Sequence, residues 1–357
     1  MKGLLIAYSF YPSKTVGAIR STYWYNAFLQ EKDIELEVIT AQKKCDLPHV
    51  TTVSPISKSA LSVLIKDEGL AWMKDLKHYF KENSSLQYDF VIITGGPFFH
   101  FGIGNYLKKK GIVKKVLLDY RDPFSVNPRF EDSKLKITIK KFVERKFLKG
   151  VDKILTVNKE CHSLIAPKSK IQRAIIPNGY NEKYLSSEDY ITPKQEGLVY
   201  PGKFYWQPTA FFELLEEKNL PLFHADASLA FEDDTLKLNN YRYSGYFKQE
   251  ELQDFLNLGT IGLIFLNENP FESTTKIFDY IALNLKVLII TKGKKKVGAM
   301  QDILQDYPNV VWANNQKHEI AQAIDRLLIM KPKKYTPELF SRRKSYDLLI
   351  KEINNLF

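Results

Sequence analysis

The chain has 357 residues, more than the roughly 250–300 at which a single hydrophobic core usually divides, so two domains are expected. Hydrophobic residues make up 44% of it, yet no run of about 18 apolar residues that would span a bilayer occurs. With 52 basic against 41 acidic side chains the net charge is +11, which favours anionic partners, but no nucleic-acid-binding module is present and no nucleic-acid partner is expected.

In chain order, "KGLLIAYSF" reads as a strand, "GAIRSTYWYNAFLQEK" as a helix and "IELEVIT" as a strand, a βαβ unit. After a less regular region come the strand "YDFVIIT", the helix "FHFGIGNYLKKKG" and the strand "KKVLLDY". Residues 134–150, "KLKITIKKFVERKFLKG", form a basic amphipathic helix before the strand "DKILTVN". Leu135, Ile139, Phe142, Val143 and Phe147 fall on one side, expected to face inward, while Lys134, Lys136, Lys140, Lys141, Arg145, Lys146 and Lys149 crowd the rest. Such a helix docks on its own domain with a solvated charged face, is drawn to an acidic membrane surface at about 1 kcal/mol per basic residue through residues 134–149, or does both.

"AIIPNGYNEKYL" breaks the alternation with Pro177 and Gly179 and reads as a linker. The second half resumes with "GLVYPGKF", the helix "PTAFFELLEEKN", strands near "LFHADASLAF" and "YRYSGYF", the helix "KQEELQDFLNLG" and the strand "IGLIFL". Then follow "ESTTKIFDYIALNLKVLII", read as loop, helix and buried strand, then "VGAMQDILQDYP", "NVVWA" and the helix "HEIAQAIDRLLIM". The tail from Pro337 has helical periodicity and is able to close over either domain. Strands alternating with helices imply an α/β fold with parallel doubly wound sheets. Boundaries at residues 1–178, 179–333 and 334–357 are expected, the last a C-terminal helix crossing back to the first domain.

In doubly wound sheets ligands bind outside the carboxyl ends of strands, so the loops after strands are the places to look for chemistry. "YSFYPSKTVGAIR" puts Gly17 at a helix start, with Arg20 one turn on; "TGGPFFH" offers Gly95 and Gly96; "DYRDPF" presents Asp119, Arg121 and Asp122; "YPGKFYWQP" opens the second half with Gly202 and Lys203. In the "ESTTKIFDY" element, Ser273, Thr274 and Thr275 are natural N-cap residues and Lys276 lies in the first helical turn, where a cation is disfavoured unless an anion arrives. Asp279, three residues on, shares its face. Lys276 and Asp279 are either a solvated ion pair or, with the free N–H groups, a phosphate and ribose site. Asp122 either pairs internally with Arg121 or is the free carboxylate of a salt-bridged loop, and the triplet Glu232–Asp233–Asp234 reads as an exposed acidic loop. The two cysteines, Cys45 and Cys161, and the scattered histidines show no metal-ligand spacing, so no metal is expected. "MKGLLIAYSFYP" turns polar too soon for a signal peptide, and a cytoplasmic location is expected.

Taken in order, "YSFYPSKTVGAIR", "GGPFF", "LDYRDPF", "VERKFLKGVDKILTVN", "IPNGYN", "GKFYWQP" and "TTKIFDYIALNLKVL" resemble the GT-B glycosyltransferases of the group called family 4, nearly end to end. The resemblance implies two facing Rossmann-like domains, a nucleotide-sugar donor held mainly by the second and a lipid-linked or polysaccharide acceptor held mainly by the first. It implies transfer with retention, no cofactor beyond the nucleotide sugar as co-substrate, and no required metal. Donor contacts would come from Gly17, Gly202, Lys203, Glu272, Ser273, Thr274, Thr275, Lys276 and Asp279, with Lys276 on the diphosphate and Asp279 on the ribose. Acceptor contacts would come from Arg20, Gly95, Gly96, Arg121 and Asp122; Asp122 would polarise the acceptor, while Lys203 and Lys276 stabilise the leaving diphosphate. The family has a glutamate where Asp279 stands, a paired acid at Phe271 beside Glu272, and a second cation near Gln207 and Pro208. An epimerase of the same fold, or a sugar-nucleotide-binding homologue without catalysis, are the alternatives. Enzyme action would place the chain in cell-surface glycan synthesis, peripheral on the inner membrane face.

Overall fold

The computed structural model describes residues 1–57, 67–130, 132–165, 169–183, 185, 196–225, 240–245 and 249–357. It divides into two compact units, Met1–Pro177 with Ser345–Phe357, and Asn178–Lys344. Among the described residues no helix is long and apolar enough to cross a membrane.

Among its described residues the first unit has seven parallel strands: β1 (Lys2–Ala7), β2 (Glu35–Thr40), β3 (Val50–Thr52), β4 (Tyr88–Thr94), β5 (Val113–Tyr120), β6 (Lys153–Thr156) and β7 (Gln172–Ile175). Their order is β3-β2-β1-β4-β5-β6-β7. Leu4–Ile6, Phe90–Ile93 and Val116–Leu118 are fully buried, the unbroken apolar runs of strands covered on both faces. Helices α1 (Val16–Phe28), α2 (Gly69–Glu82), α3 (Gly102–Lys109), α4 (Lys134–Phe147) and α5 (Lys159–Leu164) connect them. Thr15 caps α1 by accepting from the Ala18 N–H at 3.3 Å, and Ser133 caps α4 through Lys136 N–H at the same distance.

Several elements here differ from the sequence reading. Strand β3 and helix α2 occupy the region read as irregular, and β7 occupies part of the segment read as a linker. The basic helix α4 is present but turned over: Leu135, Ile139 and Phe142 are 71%, 47% and 56% exposed, while Lys140 and Glu144 are buried beside Phe147. Polar partners supply the reason. Glu144 accepts from Ser125 Oγ at 2.7 Å, Lys140 pairs with Asp132, and Phe147 meets the rings of Phe99 and Phe124 at 5.5 and 5.6 Å.

Among the described residues the second unit has six parallel strands: β8 (Leu198–Pro201), β9 (Leu222–Ala225), β10 (Tyr241–Tyr243), β11 (Ile261–Leu266), β12 (Lys286–Thr291) and β13 (Val310–Asn314), ordered β10-β9-β8-β11-β12-β13. Its helices are α6 (Thr209–Lys218), α7 (Leu252–Leu256), α8 (Lys276–Ala282), α9 (Gly298–Leu304) and α10 (Lys317–Ile329). The acidic triplet at 232–234 lies outside the described residues.

Helix α11 (Arg342–Asn354) begins in the second unit, and from Ser345 it belongs to the first. Tyr346, Leu349 and Ile353 are fully buried there; Tyr346 meets Phe28 edge-on at 5.1 Å, and Lys153 Nζ donates to Glu352 Oε2 at 2.5 Å.

Both sheets reverse their strand order beside a central strand: β1 lies between β2 and β4, and β8 between β9 and β11. Outside the carboxyl ends of those strands, at the reversal, an open α/β sheet leaves a crevice for a ligand. The loop after β1 leads into Gly17 in the first turn of α1, and the loop after β4 carries Gly95 and Gly96; those after β8 and β11 carry Gly202, Lys203 and the run from Asn267 to Thr275.

Candidate functional site

In the second unit, the structure brings Lys276 and Gly202 into contact. Lys276 opens α8 after β11, and its side chain reaches across to the loop after β8, where a Cβ on Gly202 would overlap both Cε and Nζ of the lysine. A side chain here would have to displace the end of the lysine. The ammonium lies 5.2 Å from the centre of the Tyr200 ring, a cation–π contact. Thr275 takes the N-cap position but has helical backbone angles and makes no side-chain cap bond, contrary to the expected capping role.

Two residues missed in the sequence hold this loop in shape. His224, fully buried at the end of β9, places Nε2 2.7 Å from the Gly202 carbonyl and Nδ1 2.5 Å from Tyr241 Oη. Tyr200 Oη donates to the Lys203 carbonyl at 2.7 Å and stacks on His224 at 5.6 Å. The signal available in the sequence was a histidine ending an otherwise apolar strand, "LFHA", which marks a buried polar group needing partners. Lys203 itself is exposed. Glu272 accepts from Asn269 Nδ2 at 3.4 Å, and Phe271 is buried in the core beside it. Ser273 and Thr274 are half-buried in the same loop.

Asp279 has an unusual carboxyl. Burial pushes its pKa up to about 7, against the opposing pull of the Arg342 and Lys276 cations. Arg342 is a third residue that the sequence did not point to; it also donates from Nε to the Gly179 carbonyl at 2.9 Å.

In the first unit, Arg121 gathers three of the expected positions. Its Nε donates to the Gly95 carbonyl at 3.0 Å, its Nη2 donates to the same oxygen, and the guanidinium lies where a Cβ on Gly17 would stand and 3.0 Å from where one on Gly96 would. Gly17 thus gives close approach to Arg121. Burial lowers the Arg121 pKa, opposed by the Asp119 and Asp122 carboxylates. Asp67 accepts from the Phe98 and Phe99 N–H groups at 2.9 and 3.4 Å, fixing the loop that follows Gly96.

Two expectations in this unit need correction. Arg20 is not presented to a ligand: it is 6% exposed, and its Nε and Nη2 grip Asp119 at 3.2 and 3.1 Å. Its remaining donors go to the Ile176 and Pro177 carbonyls at 2.9 and 3.1 Å, and it stacks on Trp24 at 4.4 Å. Asp122 does not pair with Arg121 but with Arg129 at 3.0 Å, in a pair that stays 43% and 39% exposed. Among the described residues no cluster of three or more metal-ligating side chains occurs.

No protein-family model matches the chain, and no curated protein matches it in sequence. Solved structures do match over the whole length. The lipopolysaccharide outer core galactosyltransferase WaaB, in its apo form, superposes with a TM-score of 0.64 at 13% identity, covering 100% of both chains. Anabaena HepE in complex with UDP and glucose gives 0.66 at 11% identity, covering 99% of each. The chain has the GT-B fold. The catalytic domain of starch synthase IV from Arabidopsis thaliana, bound to ADP and acarbose, extends the same likeness at 0.59 and 8% identity over 100% of this chain and 98% of that one. At these identities the likeness concerns the GT-B backbone, so the chemistry of the site is argued from the side chains above.

Proposed function

We propose that this GT-B chain is a glycosyltransferase that moves a sugar from a nucleotide-sugar donor to a lipid-linked or polysaccharide acceptor, with retention and without a metal. The observation that carries the reading is the Lys276 ammonium lodged against Gly202 at the strand-order reversal of the second unit. HepE holds UDP and glucose, and starch synthase IV holds ADP, within the same fold.

Departure of a nucleoside diphosphate builds negative charge on the leaving oxygen, and fixed donors aimed at it lower the barrier. Lys276 and the exposed Lys203 are assigned this role, with Ser273, Thr274, Thr275 and Glu272 lining the donor loop. Asp279 accepts from the ribose hydroxyls. Arg121, with Gly95 and Gly96, orients the acceptor in the first unit, and the half-exposed Asp122 polarises its hydroxyl. In a retaining reaction the hydroxyl approaches the face the diphosphate leaves, whose oxygen takes the proton. A membrane-borne acceptor sets the work at the inner face of the cell membrane, with the enzyme attached peripherally.

The test is a thermal-shift screen of UDP-, GDP- and ADP-sugars, followed by a nucleoside diphosphate release assay with EDTA present. Binding to N alone raises apparent stability by mass action, so a cognate donor at 100 times its Kd adds about 2.7 kcal/mol. Stabilisation and turnover in EDTA are expected. Stabilisation without turnover on any acceptor would favour a binding homologue, and loss of turnover restored by Mg²⁺ or Mn²⁺ would overturn the metal-free mechanism.

A further inference from the structure

Helix α4 exposes what an amphipathic helix normally hides. Leu135, Ile139 and Phe142, spaced i, i+4 and i+7, make one continuous ridge, and Phe130, 61% exposed, precedes it. Opposite the ridge lies the buried face of Lys140, Glu144 and Phe147. The helix cannot roll over to hide the ridge, because Glu144 is bonded to Ser125, and Lys140 to Asp132, on the inner side.

The flank of the ridge is as informative as its crest. Lys134, Thr138, Lys141 and Arg145 form an adjoining row about 100° round the helix, all exposed, and Lys149 continues it past the helix end. Lys146 lies in line with the ridge and holds its ammonium 4.4 Å from the Phe142 ring centre. The helix's own acid, Glu144, points inward, so its outer surface carries no negative charge to offset this row. Lys109 and Lys110, exposed at the end of α3, extend the basic surface, since Lys108 of the same run reaches the Gly150 carbonyl at 3.0 Å.

Apolar side chains on the crest and cations along the side are the two contacts an anionic bilayer offers: hydrocarbon below, headgroup phosphate at the rim. A protein partner would have to bring matching acids and an apolar groove, whereas an anionic leaflet supplies both at once. Resting on the membrane-facing reading proposed above, we infer that α4 lies in the plane of an anionic bilayer, with Leu135, Ile139 and Phe142 inserted among the acyl chains and Lys134, Lys141, Arg145, Lys146 and Lys149 on the lipid phosphates. Purely electrostatic attachment is a different state, because salt screens exposed charges but leaves buried apolar surface in place.

The full-length protein is sedimented with sucrose-loaded vesicles of phosphatidylcholine, with and without about one-third phosphatidylglycerol, at low and high NaCl. Binding to the anionic vesicles is expected, with a fraction that survives high salt. The paired change Ile139→Ser and Phe142→Ser is expected to remove that fraction and weaken partitioning about tenfold or more, whereas Lys141→Gln with Arg145→Gln weakens low-salt binding. Phe142→Trp should show blue-shifted emission quenched by lipids brominated in the acyl chain. These positions are exposed, so thermal melts of the variants are expected to match the parent. Absence of vesicle binding, complete release by salt with an unquenched Trp, or a concentration-dependent dimer abolished by Phe142→Ser would each overturn the inference. Donor binding by the soluble protein is measured separately, so loss of the glycosyltransferase reading and loss of membrane insertion give different results.

Discussion

The contact between Lys276 and Gly202 makes a prediction about two residues at once. If the ammonium donates to the donor diphosphate, Lys276→Ala should cost about 1.5–3 kcal/mol in donor-dependent kcat/KM, a loss of about 10- to 150-fold. Its melting temperature should fall only slightly, since the Tyr200 contact is worth about 0.5–1 kcal/mol. Gly202→Ala should reproduce much of the kinetic loss by displacing the lysine, and the double variant should be little worse than either single one, as expected for residues acting through one contact. Additive losses would separate the two residues and sink the shared role. Asp279 adds a pH dependence whose sign is fixed by its burial. Its folded pKa near 7 lies above the ordinary 3.8, so the native state holds the proton more tightly than the unfolded chain. That contribution is present at low pH and lost as pH rises from about 4 through about 7. Relative to the parent, Asp279→Asn should therefore gain stability between pH 5 and 8, read from melts at both values. Nucleoside affinity of the parent should rise over the same interval as the carboxylate forms, and the Asn variant should lose that slope.

Elements show where the sequence was legible and where it was not. Parallel strands announce themselves as apolar runs such as "FVII" and "VLII", and Gly17, Gly95, Gly96 and Gly202 stood out by their places shortly after such runs. The three-residue β3 carries too few side chains for any period to show. Helix α4 misled for a physical reason: it is apolar on one side and ionic on the others, and the tertiary fold buries the ionic side because Ser125 and Asp132 wait there as partners. No pattern within the helix encodes those partners. Arg20 misled in the same way, since a cation one turn into a helix near a ligand loop looks available until Asp119, Ile176 and Pro177 are placed around it. This arginine ties α1 to the end of β5 and to the residues that follow β7. Arg20→Leu should leave Asp119 buried without its partner and lower unfolding free energy by about 3–5 kcal/mol in urea titrations. A loss under 1 kcal/mol, together with a selective fall in acceptor affinity, would restore Arg20 to a ligand-binding role.

At the scale of the molecule, the chain enters the second unit at Asn178 and leaves it at Lys344, so the first unit is completed only by residues that follow the whole of the second. Those residues are core, not trim. Tyr346, Leu349 and Ile353 are fully buried, Tyr346 fills the space beside Phe28, and Glu352 neutralises the buried Lys153. Ending the chain at Lys344 would expose the apolar surface they cover and strand the Lys153 ammonium, a combination exceeding the 5–15 kcal/mol by which a domain is typically stable. The gentler variant Tyr346→Ala should cost about 3–5 kcal/mol by analogy with other buried aromatics. In the second unit, the Lys276 and Gly202 contact involves none of the removed residues. The shortened chain should therefore lose amide-exchange protection in β1, β4 and β5 while β11 and β12 stay protected and a cognate nucleotide still protects them further. Equal loss of protection in both sheets would show that the two units fold as one, and unchanged protection in β1 would show that the last thirteen residues, Ser345–Phe357, are dispensable to the core they pack against.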